Sequence, residues 1–403
     1  MLFAVSTMGI VQITAWGTSY YCLGVLAVPI GADTGWSLSF IYFGFTLSLL
    51  VMGAVSALAG RAIDRYGGRA VMVLGTVLVS AGLWTLAHAR SEAAWLAVWA
   101  FLGIGMRLSL YDAAFAALVQ VVPSRGRLAI SYLTLWAAFA STVFWVLGHY
   151  LNEALGWRGT LELFAAINLA VCVPLLWLGL ARREAPGKAA AAEAASAAAD
   201  GPPLAGRARR IASVLFALVM SLNGFVFAVV TVQLVPLLEA AGLAAAAAVW
   251  VASLKGVAQF SGRVVEIAFG RRLRAVTVGR IAIGVLPLSF VVLLVAGGNL
   301  RALVAFTLLM GASQGVITIV RGAVPLALFG AAGYGAVLGV LATPVLIVNA
   351  VSPTLFAMIV DRWGWQAAQG ALLAAALASW AAMEVMSRWY ERSRRGAGPG
   401  ARL

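Results

Sequence analysis

The 403-residue chain is 63% hydrophobic and only 10% charged, where a soluble globular domain carries about 25% charge. Apolar runs of 18 or more residues recur along it, each long enough to cross a bilayer as a helix. This excludes a soluble enzyme, the missing strand alternation excludes a membrane β-barrel, and the net charge of +14 gathers into no patch on a soluble domain that would bind nucleic acid. Twelve spans of about 20 residues use about 240 residues, which leaves room for short loops and one longer linker.

Span 1, about residues 6–30, carries Gln12, Thr14, Trp16, Thr18, Ser19, Tyr20 and Tyr21 at mid-membrane depth. A helix with such a face lines a cavity or a polar seam. It lacks a basic start and runs too long for a cleaved leader. Gly35-Trp36 makes a short turn, with Trp36 suited to the interface. Between span 2 (about 37–59) and span 3 (about 70–87) lies Gly60-Arg61-Ala62-Ile63-Asp64-Arg65-Tyr66-Gly67-Gly68-Arg69. Its glycines allow a tight turn and its arginines cannot rest in hydrocarbon, so it is a surface loop. Span 4, about 94–119, holds Arg107 and Asp112. Pro123-Ser124-Arg125-Gly126-Arg127 turns into span 5, which runs to about Asn152, and Gly156-Trp157-Arg158 turns into span 6, which ends at Arg182-Arg183.

Residues 182–210 change in composition, being alanine-rich with Pro186, Gly187, Gly201, Pro202 and Pro203. They read as a flexible linker, helical around 189–199. The expected organisation is a first bundle over 1–181, a linker over 182–210, a second bundle over 211–388 and a basic tail over 389–403.

The second half repeats the first. Gly17 and Gly224 are 207 residues apart, as are Pro29 and Pro236. Gly60 and Asp64 correspond to Gly262 and Glu266 at an offset of 202, and Gly103 to Gly311 and Gly156-Trp157 to Gly364-Trp365 at 208. Offsets this close argue for two six-helix repeats, a plan that brackets a binding site near the bilayer midplane. Cys22 and Cys172 both fall in apolar spans, as buried small hydrophobes rather than a disulfide framework.

The 60–69 loop resembles the signature loop between helices 2 and 3 of the major facilitator superfamily. That pattern, Gly-x-x-x-Asp-Arg-x-Gly-Arg/Gly-Arg, is met by Gly60, Asp64, Arg65, Gly67, Gly68 and Arg69. With the repeat, the resemblance covers about residues 5–388. It implies an all-α membrane protein of twelve transmembrane helices in two six-helix bundles, and secondary transport by alternating access. The tone of Trp16-Gly17-Thr18-Ser19-Tyr20-Tyr21 and the Gly-Trp turns resembles the monocarboxylate and oxalate/formate branch. With the 60–69 loop on the cytoplasmic side, most of the 28 Lys+Arg fall in cytoplasmic loops, the linker and the tail. That is the positive-inside bias, with both termini cytoplasmic, in the inner or plasma membrane of the cell. Contact with anionic lipid is a secondary use of the same charge.

The resemblance gives Asp64 a latch role against the start of span 11, around 334–337, where the helix dipole favours a carboxylate by about 0.3–1 kcal/mol. Gly60, Arg65, Gly68 and Arg69 support that latch, and Glu266 repeats it; the plainer alternative is that these charges only set topology. Arg107, costing about 2.5–3.5 kcal/mol at a membrane centre, faces an aqueous cavity or a structural partner. In the oxalate/formate branch that the chain resembles, basic residues of helices 8 and 11 bind the substrate carboxylate; Lys255 in span 8 fits the first role, although span 11 offers only Asn349 for the second. Trp16, Tyr20, Asn223 and Gln314 are further substrate-binding candidates, with Gln233 and Gln259 in the cavity wall; hydrogen bonding between helices is the alternative. Glu384 sits at the end of span 12 in solvent.

Asp112 is the candidate proton carrier. Arg107 is expected to be a poor partner for it, because five residues at 100° place the two about 140° apart on one helix. The repeat instead sets Asp112 against Arg321, since 112 + 208 = 320. The pair is expected to close a gate; the alternative is that Arg321 reaches the headgroups.

No metal-ligand spacing, nucleophile elbow or phosphate loop appears, so neither enzyme chemistry nor a cofactor is expected. Gly103-Ile104-Gly105 is helix packing rather than a nucleotide motif. Three cations against one anion inside the spans favour a small anionic organic substrate, moved with a proton or by exchange, by a monomer in the bilayer. The rivals are a proton-driven exporter of drug-like compounds and a non-transporting membrane sensor or scaffold.

Overall fold

A chain in hydrocarbon must satisfy its own backbone hydrogen bonds, and for apolar runs of this length that means helix. The computed structural model describes residues 1–185, 187 and 203–396, and among them every regular element is helical. The expected helix over 189–199, the rest of the linker core and the last tail residues lie outside the described residues.

Nine described helices are long and apolar enough to cross a membrane. Two of them, Pro123–Gly179 with 57 residues and Tyr334–Glu391 with 58, have twice the length of a span. Each is broken at a glycine, Gly156 (φ 69°, ψ 172°) and Gly364 (φ 78°, ψ 173°). That left-handed φ strains any residue with a Cβ. The two breaks share one conformation at the 208-residue offset, so the Gly-Trp turns of the two halves are built alike. Spans 5 and 6 therefore lie in Pro123–Gly179, and spans 11 and 12 in Tyr334–Gly396.

Span 8 is Ala245–Phe269, 25 residues carrying Lys255, Arg263 and Glu266; at about 1.5 Å per residue it also crosses a bilayer. The remaining spans are Leu2–Thr34 (1), Leu38–Tyr66 (2), Gly68–Ala87 (3), Glu92–Val121 (4), Gly206–Ala240 (7), Ala275–Val295 (9) and Leu300–Phe329 (10). The protein is an all-α, multi-pass integral membrane protein with twelve spans, six in each half of the sequence.

The chain divides into two compact units, Met1–Glu193 with Ala331–Thr343, and Ala194–Gly330 with Pro344–Leu403. The start of span 11 thus groups with the first six spans. In the first unit Trp95, Trp99, Phe115 and Phe164 are fully buried, as are Phe216, Phe290, Phe306 and Phe356 in the second.

The repeated glycines sit where helices touch. A Cβ on Gly103 would lie 2.5 Å from the Ser48 carbonyl of span 2, and one on Gly311 would lie 2.9 Å from the Lys255 carbonyl of span 8. Likewise a Cβ on Gly17 would overlap the Phe144 ring, and one on Gly224 would lie 2.5 Å from Asn349 Oδ1. Cys22 and Cys172 are free and buried.

Spans 1 and 4 depart from continuous helix. Trp16–Tyr20 forms a π turn between Leu2–Ala15 and Leu23–Thr34. Span 4 breaks at Leu110, whose backbone is extended (φ −82°, ψ −170°), into Glu92–Ser109 and Tyr111–Val121.

Candidate functional site

The break at Leu110 rearranges the charges of span 4. Arg107 now lies in the last turn of one helix and Asp112 in the first turn of the next. The helix dipole favours a cation at the former and an anion at the latter, by about 0.3–1 kcal/mol each. Arg107 Nη1 donates to Asp112 Oδ2 at 2.5 Å, with both side chains only 4% exposed. This corrects the expectation that Arg107 is a poor partner. The 140° separation holds for one continuous helix, and the extended residue between them removes it.

Gln12 supports the break from span 1. A broken helix leaves carbonyls without an intrahelical partner, and Gln12 Nε2 donates to the Ser109 carbonyl at 2.8 Å. Gln12 Oε1 accepts from Trp16 Nε1 at 3.2 Å, which ties the break to an aromatic cluster. Trp16 packs against Tyr20 (4.8 Å between centroids) and Tyr111 (4.9 Å), and Tyr20 against Phe45 (4.9 Å). The π turn of span 1 faces a second one at Asn168–Cys172 in span 6, where Asn168 Nδ2 donates to Thr18 Oγ1 at 2.9 Å. Such turns are frequent at functional sites. Trp16, Tyr20, Arg107 and Asp112 thus belong to one neighbourhood of the first unit. Tyr111 and Gln12 are its members that were not singled out as site candidates. Gln12 was visible as a polar residue at mid-span, but nothing in Ser109-Leu110-Tyr111 signals a break.

At one end of the same unit, Asp64 meets the first turn of span 11. The Gly335 and Ala336 N–H groups donate to its Oδ1 and Oδ2 at 3.0 and 2.7 Å. Ser56, Gly60 and Asp64 lie four residues apart on span 2, facing Gly335 and Gly339. Ser56 Oγ donates to the Gly339 carbonyl at 2.7 Å, and a Cβ on Gly60 would overlap the Gly335 carbonyl oxygen. The Gly68 N–H donates to Gln120 Oε1 at 2.8 Å, while Gln120 Nε2 donates to the Ile63 carbonyl at 3.0 Å, so Gln120 holds the turn between spans 2 and 3. Arg69 stacks 4.2 Å over Trp177, and Arg65 lies over Tyr66 at 5.2 Å.

In the second unit, Lys255 Nζ donates to Thr231 Oγ1 at 3.4 Å and lies 5.6 Å from the Phe227 ring centroid, both on span 7. Gln314 in span 10 is buried, and neither amide atom has a hydrogen-bond partner among the described residues. Asn223 takes the helix-pairing alternative, donating to Ser379 Oγ of span 12 and to the Val219 carbonyl at 2.8 Å. Asn349 lies against Gly224, its amide placed to donate to the Gly224 carbonyl at 2.9 Å. Glu266 is buried and Arg321 half-buried. Arg263 of span 8 is also buried. Glu384 is not solvated as expected: it takes a bidentate pair from Arg280, with Nε and Nη2 each at 2.7 Å.

Twelve spans in two sequence repeats, with a buried ion pair in span 4 beside an aromatic cluster on span 1, define a polytopic membrane protein. The family model for the Major Facilitator Superfamily matches residues 8–295, and the chain belongs to that superfamily, whose members are transporters. No curated protein matches the sequence. The human organic anion transporter MFSD10 (TETRAN) is similar in structure, with a TM-score of 0.73 at 19% identity over 94% of this chain and 99% of its own. The E. coli fucose:proton symporter FucP gives 0.64 at 15% identity over 95% and 98%. The proton:xylose symporter XylE gives 0.69 at 14% over 93% and 94%. At these identities the likeness is one of fold.

Proposed function

We propose that this chain is a secondary active transporter that moves a small organic anion by alternating access, coupled to a proton or to exchange. The observation that carries the reading is the buried Arg107–Asp112 pair at the broken span 4, beside the Trp16–Tyr111 aromatic contact. While Asp112 is ionised the pair is neutral. A proton on Asp112 leaves the guanidinium charge of Arg107 to a carboxylate of the substrate, so anion and proton arrive together.

Lys255 supplies a second cation, and the amide of Gln314, with its unpartnered atoms, supplies polar recognition. The fold does not choose between solutes, since the similar structures include an organic anion transporter and sugar symporters. A second reading, proton-driven export of a cationic or aromatic compound through Asp112, is favoured by the Trp16, Tyr20 and Tyr111 rings.

Melting of the purified protein against a panel of organic acids and of cationic dyes separates the two readings. Acids should stabilise it, and Lys255→Gln should weaken the best acid more than tenfold, a factor worth about 1.4 kcal/mol. Stabilisation by dyes alone would replace the first reading with the second.

We further assign residues 1–181 and 211–388 as the two moving bundles, with 182–210 as their linker and 389–403 as a tail. Asp64 is the latch of one state, with Gly60, Arg65, Gly68 and Arg69 around it and Glu266 as its repeat. Arg321 is the exchange partner of Asp112, on the 208-residue offset. The charge distribution supports cytoplasmic termini and insertion in the cell membrane. In a Cys-free background, Ser124→Cys should resist impermeant thiol reagents in whole cells while Ala93→Cys reacts. The opposite labelling would reverse the orientation.

A further inference from the structure

On the second unit, a groove of about 640 Å³ opens between the start of span 7 and the end of span 12. Arg207, Arg210, Val214 and Leu215 line one side of it, and Val385 and Trp389 the other. On span 7, residues 207, 210 and 214 are spaced three and four apart, which places them on one helix face. Span 7 begins at this end and span 12 finishes here. Arg207, Arg210 and Trp389 therefore share the outer end of the groove, while Val214, Leu215 and Val385 lie deeper. Seven residues of helix separate Arg207 from Val214, about 10 Å of rise.

The groove is apolar along its floor, and Arg207 and Arg210 line it with their aliphatic stems, their charges gathered with that of Arg209 at the start of span 7. Val214 is 68% exposed and Val385 56%, a water-excluding surface that suits hydrocarbon. Trp389, near the end of span 12, is of the residue type that settles at a bilayer interface. Neither arginine is in an ion pair among the described residues, and no acidic residue lies in the first turn of span 7. Arg209, between them in sequence, adds a third positive charge and lies 5.8 Å from the Phe329 ring centroid.

We propose that this groove is a binding site for one anionic phospholipid, its phosphate held by Arg207 and Arg210 and one acyl chain laid along Val214, Leu215 and Val385. A soluble phosphate would satisfy the mouth and leave the floor exposed. A zwitterionic lipid would fill the floor but bring an ammonium group to two arginines. Only a lipid of net negative charge matches both ends.

Native mass spectrometry of the purified full-length protein, titrated with phosphatidylglycerol or phosphatidylcholine in neutral detergent, tests the site. Phosphatidylglycerol should be retained at about fivefold lower concentration, a preference in keeping with the gain per basic residue at anionic surfaces. Arg207→Gln/Arg210→Gln should abolish that preference, whereas Arg301→Gln, at a distant helix start, should keep it. Leu215→Trp, which fills the floor and spares the arginines, should lower retention of both lipids. All variants should melt as the wild type does in phosphatidylcholine.

Three results would overturn the proposal. One is an unchanged preference in the double arginine variant. Another is displacement of the lipid by glycerol phosphate at equal concentration, which would make this a phosphate site. The third is lipid retention that appears only after Glu193→Gln/Asp200→Asn, which would make the linker the occupant.

Discussion

Asp112→Asn should destabilise the purified protein by about 3–5 kcal/mol, the cost of leaving a buried charge without its partner. Arg107→Gln should do the same from the other side, because each side chain is 4% exposed and water cannot replace what is lost. The double substitution Arg107→Met/Asp112→Leu removes both charges and should recover most of that stability, since an apolar pair of similar volume is often neutral or better. It should nevertheless bind no anion. Stability and function therefore separate in the double variant, which neither single substitution can show.

A double variant as unstable as the singles would mean that the two residues do not act as a unit. The same design reaches the proposed exchange with Arg321. Asp112→Arg and Arg321→Asp should each abolish transport, and combining them should restore part of it. A combined variant as inactive as either, with Arg321→Ala transporting normally, would remove Arg321 from the mechanism.

Gly60→Ala is expected to open the contact between span 2 and the start of span 11. Its new methyl group would meet the carbonyl oxygen of Gly335, a backbone atom that no rotamer change can move aside. Overpacking of this kind costs about 1–3 kcal/mol, and here it would also pull Asp64 away from the Gly335 and Ala336 amides. Gly335→Ala should act similarly, because its Cβ would lie 2.7 Å from Asp64 Oδ1. Gly256→Ala is the control: nothing lies within 4 Å of that Cβ, and removing a glycine from a helix interior should be neutral or stabilise by up to about 1 kcal/mol.

The readout needs no substrate. The thiol of Ser56→Cys, buried under Gly339, should react slowly in the parent and at least tenfold faster with Gly60→Ala. Equal rates would show that the working protein does not keep this seam closed.

The spans, their number and the twofold repeat were legible in the amino-acid order, because hydrophobic length and glycine spacing are local properties of the chain. Gly156 and Gly364 were legible as turns from the Gly-Trp dipeptides alone, and both adopt the left-handed φ that only glycine accepts without strain. The resemblance of the 60–69 loop to the superfamily's signature loop implied that Asp64 meets the start of span 11, and the Gly335 and Ala336 amides donate to its carboxylate.

The pairing inside span 4 came instead from the folded arrangement of the helices. Periodicity assumes one unbroken ladder of backbone hydrogen bonds, and by that rule Arg107 and Asp112 point apart. The ladder is broken at Leu110, a residue with no helix-breaking chemistry, where Gln12, 97 residues earlier, donates to the freed Ser109 carbonyl. For the same reason Glu384 reads as solvated from its own stretch of chain, and the choice between the two readings of Asn223 stays open there, since their partners Arg280 and Ser379 lie more than 100 residues away. A polar side chain in a membrane must find a partner, and its own sequence neighbourhood states that demand without naming the partner.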